Sequence, residues 1–295
     1  MIATVLAALV MGACGVAEDD ADLLNPAPGS GTGIVDQSDR AALLDAVAAE
    51  RCEKSLVGDE GGDIESIYRV IDGQLAGRCF GKPSDLVIDA WATLAAVTPP
   101  QDLRLLAALA AFTSDDDTLA FTVPVDDDYT RFAIAFNTRS VKVGEQELRL
   151  TAVHEYAHVV TLAPDQLDVV SDPDDCNVYW NGGGCFRTGS HIDRWIDQFW
   201  TRADLRKQPE DGSTDDRLAE ERCELSPRFL GQYAASSPEE DFAESFSAFV
   251  FDIDVPDSVQ PKIDWFATVP QLAAYRDQRR ASGLGQASNE FDRCG

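Results

Sequence analysis

The sequence predicts an α+β fold, mostly helical with a small mixed sheet. Three observations carry this. Most apolar residues recur at helical spacing, in segments that open on a capping Ser or on a Pro. Two short apolar runs, 119–123 and 131–137, break that period and flank the turn-rich "PVDDDYT". The chain has 295 residues, 44% of them apolar, enough to bury a real core in one large domain or two small ones.

In chain order, residues 1–13 are almost all apolar and too short to span a bilayer as a helix, which needs about 20 residues. Such a run followed by small residues reads as a secretory signal. It ends in "MGAC", whose small Gly12 and Ala13 before Cys14 resemble a bacterial lipobox. That resemblance implies lipidation of Cys14 and contact with a membrane only through this anchor. The alternative is an ordinary cleaved signal. Residues 14–37 are rich in Asp, Ala, Pro and Gly and read as a flexible spacer. Residues 38–118 read as a helical N-terminal subdomain, with helices opening at Ser38, Ser84 and Pro100, the last spanning "PQDLRLLAALAAF". Residues 119–295 read as the second domain. It holds the two strands, then a helix over 146–162 halted by Pro164, and further helices over 190–200, 237–251 and 270–282.

Net charge is −28, from 52 acidic and 24 basic residues, which argues against nucleic acid or anionic lipid as a partner because both are polyanions. Solubility is the simpler meaning of such a surface. The Asp clusters at 115–117, 126–128 and 172–175 lack EF-hand spacing and read as solvated turns. With Cys14 set aside, six cysteines remain: Cys52, Cys79, Cys176, Cys185, Cys223 and Cys294. An even number without any C-x-x-C suits disulfides in an oxidising compartment better than a cysteine metal site. Cys176 and Cys185 bound the short Gly-rich "CNVYWNGGGC" and are the best local pair; Cys52–Cys79 and Cys223–Cys294 follow by elimination.

The chemistry is concentrated in "TAVHEYAHVVTL", residues 151–162. Residues i and i+4 of a helix project from one face. His154 and His158 can therefore put two imidazole nitrogens on one Zn²⁺, and Glu155 comes beside the metal, where it can act as a base. The neighbours Ala152, Val153, Ala157, Val159 and Val160 are apolar, so the helix is buried, and buried polar groups need partners. Chance is a weaker explanation, because His191 is the only histidine outside the motif. A catalytic zinc takes three protein ligands. His191 is one candidate for the third, although a histidine opening a helix is more often a surface or capping residue. The better candidates are Glu240 and Glu244, which share one face of the helix at 237–251.

"HEYAH" followed by "YAASSPEEDFAESF" resembles the gluzincin metallopeptidases, and within them the catalytic domain of anthrax lethal factor and zinc-binding metallopeptidase lipoproteins of bacteria. Tyr233, Glu240 and Glu244 match the Y-x6-E-x3-E that follows H-E-x-x-H there, over roughly residues 119–255. The resemblance implies a zincin-like fold, Glu240 as third ligand of a single zinc, Glu244 bonding a ligand histidine, and Tyr233 aiming its hydroxyl at an oxyanion. The implied activity is peptide hydrolysis with Glu155 as general base, on a protein or peptide substrate, by an exported monomer. The strand "FAIAF" is expected to offer an edge to the substrate, as in other zincins. An alternative is a surface lipoprotein that uses a zinc-bound zincin fold to hold a partner with little turnover.

Overall fold

The computed structural model describes residues 37–58, 62–115, 118–139, 146–170, 172, 174, 176–209, 213–289, 291, 293 and 294. Cys14, the signal and all but the last residue of the spacer lie outside them. The described residues form α1 (Gln37–Asp45), β1 (Asp63–Ile71), β2 (Gln74–Gly81), α2 (Asp85–Val97), α3 (Pro100–Leu103), β3 (Leu106–Thr113), β4 (Ala120–Pro124) and β5 (Phe132–Asn137). Then come α4 (Gln146–Leu162), β6 (Leu167–Val169), β7 (Gly184–Phe186), α5 (His191–Phe199), α6 (Arg202–Leu205), α7 (Asp216–Leu225), α8 (Pro238–Phe251), α9 (Gln260–Ala267) and α10 (Pro270–Ser282). The α+β class expected from the sequence is what forms.

One five-stranded mixed sheet, in the order β2-β1-β3-β5-β4, runs through the molecule. β3 and β5 are parallel and the other neighbours antiparallel. The β1–β2 hairpin turns on Asp72 and Gly73, both at positive φ (52° and 79°), the Asp-Gly geometry that matches strand twist. Leu109, Ile134 and Phe136 face a helical layer that includes Trp91, Tyr156 and Phe246. Ala108, Ala110, Ala133 and Ala135 face the other way, with Val57 and Ile67. Small alanines suit that side because its cover is thin, a 3-10 turn at Lys54–Val57 and the chain leading into it.

Four expectations fail here, each for a physical reason. The helix expected over "PQDLRLLAALAAF" stops at Leu103, and the rest is β3. Every residue of β3 from Leu106 to Phe112 is buried, so it is covered on both faces and shows no alternation that would mark a strand. The helix opening at Ser38 ends at Asp45, because the chain then lies along β2. Arg78 N–H donates to Ala46 O at 2.9 Å, Ala48 N–H donates to Arg78 O at 3.1 Å, and Cys52 is bonded to Cys79. Residues 38–118 are therefore not a helical subdomain: they supply three of the five strands, and the sheet crosses the expected boundary at 118/119. "FAIAF" is also not an edge. It is β5, flanked by β3 and β4, and the edge on that side of the sheet is β4.

The cysteines pair as Cys52–Cys79, Cys176–Cys185 and Cys223–Cys294. Three disulfides indicate an extracellular or exported protein, and no helix among the described residues is long and apolar enough to cross a membrane. Cys223–Cys294 joins residues 71 apart in sequence and ties α7 to the C-terminal segment. Replacing both cysteines by Ser is expected to cost about 2–5 kcal/mol, read as a lower urea midpoint. An unchanged midpoint would speak against this bridge as a stabilising element.

Candidate metal centre

α4 lies under the sheet's β4 edge and against α8. Ala152, Val153, Tyr156, Ala157 and Val159 bury it on several sides, and His154 and Glu155 are buried with them at 7% and 5% exposure. α8 brings its carboxylates from the other side. Ser237 caps it, accepting from the Glu240 N–H at 3.2 Å, and Pro238 opens the first turn. Glu239, Glu240 and Asp241 occupy that turn, where the helix dipole favours negative charge.

The structure brings His154, His158 and Glu240 together, with one donor atom from each lying within 4.8 Å of the others. Nε2 of His154 is 3.0 Å from Oε2 of Glu240 and 3.2 Å from Nε2 of His158, and the third side of the triangle, His158 Nε2 to Glu240 Oε2, is 3.5 Å. Tetrahedral ligands about 2.0–2.1 Å from zinc stand about 3.3–3.4 Å apart. The observed triangle is such a face to within a few tenths of an ångström, so the donor set fits one ion with little movement.

The charges agree with the geometry. Burial pushes the His154 imidazole down, but the hydrogen bond and charge of Glu240, with Glu155 and Glu244 beyond, outweigh it and hold the group up at about 9. Burial also lowers His158, and again Glu240 raises it further. For Glu240 burial raises the carboxyl, and the two histidines more than offset this, holding it well below the usual carboxylate range. A carboxylate buried this way draws positive charge to the point where the three donors converge.

Glu155 is held from the sheet. Thr122, on β4, donates from Oγ1 to Glu155 Oε2 at 2.8 Å and to its backbone oxygen at 3.1 Å. Burial pushes the Glu155 carboxyl up, against the pull of both histidines and of Thr122. A carboxyl raised in this way is better matched to proton transfer near neutral pH. Thr122 carried no sign in the sequence beyond membership of an expected strand. Thr122→Val keeps the shape and removes that donor. It is expected to lower kcat by about 10- to 100-fold with metal content unchanged, since a hydrogen bond to a charged group contributes about 1.5–3 kcal/mol. Full activity in this variant would show that the Thr122 contact does not tune the base.

Tyr233 precedes α8, and its ring stacks on His154 with centroids 5.8 Å apart. It is 50% exposed, which leaves it open to a substrate. The charge of Glu240, with Glu155 and Glu244 beyond, pushes its hydroxyl well above the ordinary phenol value, so it remains a donor. Glu244 Oε1 lies 3.8 Å from His154 Nδ1, beyond hydrogen-bond length. His191 is not part of the cluster. It opens α5, its backbone N–H donates to Gln166 Oε1 at 2.8 Å, and its ring stacks on Phe242.

No family model matches the chain, and no curated protein matches it. Among solved structures, it is similar to a protein from Bacteroides caccae described as a putative zinc-binding metallo-peptidase. Identity is 13%, coverage is 68% of this chain and 78% of that one, and the TM-score is 0.32. A likeness that slight carries no inference about the chemistry here.

Proposed function

We propose that the chain is an exported, zinc-dependent peptidase of gluzincin type, with His154, His158 and Glu240 holding one Zn²⁺. The observation that carries this reading is the triangle of two imidazole nitrogens and one carboxylate oxygen at tetrahedral spacing, with a buried glutamate next to the first histidine. Zinc, when bound, supplies the Lewis acidity that polarises a carbonyl and acidifies water. The rest falls to the chain's own residues. Glu155, oriented by Thr122, takes the proton from the attacking water and passes it to the departing amine. Tyr233 donates to the oxygen on which negative charge develops, a contact stronger in the transition state than in the ground state. Glu244 steadies His154. An extended peptide adds to the outer side of β4, the edge strand that carries Thr122, with main-chain hydrogen bonds setting its register.

The substrate is a protein or peptide, met by a monomer. Lipid on Cys14 would hold it at the cell envelope. Expression with a labelled fatty acid is expected to mark the wild-type protein and not Cys14→Ser, and a label that survives the substitution overturns the anchor. Cleavage of a mixed peptide library by the purified protein, abolished by a chelator and restored by zinc, is the result expected for a peptidase. Zinc binding without cleavage would instead favour a fold that uses its metal site to hold a partner.

A further inference from the structure

We infer that Asp241 is a positioning residue for the metal centre, locking the rotation of α8 so that its neighbour Glu240 faces the two histidines. This rests on the metal-site reading above. Asp241 is fully buried, and each of its oxygens is taken by another element. Oδ2 accepts the indole N–H of Trp195, on α5, at 3.0 Å and that of Trp200, just beyond it, at 2.9 Å. Oδ1 meets Nζ of Lys262, on α9, at 2.5 Å, and Lys262 is itself 2% exposed. The ammonium also sits 4.5 Å over the ring of Phe229.

Such a buried pair is a poor device for stability alone, since apolar residues of similar volume commonly hold a core as well. What it does add is direction. Successive residues of a helix point about 100° apart, so a side chain fixed toward α5 and α9 dictates where the one before it points. Glu240 then faces α4. A rotation of α8 by about 20° would carry a glutamate carboxylate, further out than the Cα radius of about 2.3 Å, on the order of 2 Å. Ligand distances tolerate only about 0.2 Å. The Ser237 cap holds the Glu240 amide but pins no side chain against a neighbouring element.

The test is zinc affinity by chelator competition, beside the visible spectrum of the cobalt-loaded protein. Wild type is compared with Asp241→Asn, Lys262→Met and Ile67→Ala, the last a core variant on the far face of the sheet. Asp241→Asn is expected to weaken zinc about 10–100-fold, as loss of a supporting contact does, and to alter the cobalt spectrum. Ile67→Ala, though destabilised, is expected to bind zinc like wild type. Lys262→Met keeps both indole donors and is expected to fall between them; it carries the comparison if Asp241→Asn does not fold. Affinity within twofold of wild type and an unchanged spectrum in the folded Asp241→Asn or Lys262→Met protein would overturn the inference, as would an equal loss in Ile67→Ala. Failure of the wild type itself to bind zinc would instead remove the metal site on which the inference rests.

Discussion

Glu155→Gln is expected to keep its zinc and lose turnover by about 10²–10⁴-fold, the usual contribution of general acid–base catalysis. Glutamine retains the size of the side chain and an oxygen that can accept from Thr122 Oγ1, now 2.8 Å from Glu155 Oε2, so the wall of the site is preserved. It cannot take a proton from water. None of the three converging donors is altered, because Glu155 is not among them. Metal analysis and kcat on one library-derived peptide separate the two effects. A fully active Glu155→Gln would remove the base from the mechanism. Tyr233→Phe makes a related comparison on the other side of the substrate. Zinc is again expected to stay, and kcat to fall about 10²–10³-fold, the range for removing one oxyanion donor.

His154→Ala is expected to have the largest effect of all, with metal and activity lost together. His154 Nε2 is the shared corner of the triangle, 3.0 Å from Glu240 and 3.2 Å from His158. Without it, two donors remain, too few for a catalytic zinc, and the buried Glu240 carboxylate loses one of the two histidines that hold it ionised. Changes around a metal's ligands typically cost about 10–100-fold in affinity, and removal of a ligand should exceed that. Glu240→Ala is expected to behave alike, and Glu244→Gln to stay within that milder range. Equilibrium dialysis against zinc distinguishes the cases. A His154→Ala protein that binds zinc as tightly as wild type would refute the ligand set.

The site was more legible than the sheet around it, and the residues explain why. His154, Glu155 and His158 announce themselves by spacing alone, because a helix turns i and i+4 to one face whatever surrounds it. Glu240 and Glu244 stand out as a pair on one helix face, and Glu240 is singled out as the ligand only through its distance from Tyr233 and the resemblance that spacing carries. "LAALAAF" reads as helix because its residues are helix formers without alternation, and burial on both faces makes it β3 instead. β1 carries a strand signal in Ile64, Ile67, Tyr68, Val70 and Ile71 ahead of the Asp72–Gly73 pair, whereas β2, with no β-branched residue and Phe80 as its one aromatic, carries little beyond that turn. Thr122 and Asp241 carried none. Asp241 sits among acidic neighbours and reads as solvated, yet it is fully buried because Trp195, Trp200 and Lys262 reach it from elements distant in sequence.

The central claim is that one zinc sits between α4 and α8. Anomalous diffraction collected on both sides of the zinc absorption edge, from crystals of the zinc-loaded protein, locates the ion directly. The account predicts a single peak about 2.0–2.2 Å from Nε2 of His154, Nε2 of His158 and a carboxylate oxygen of Glu240. A peak bounded by other residues, His191 for instance, or no ordered zinc at all, would contradict it.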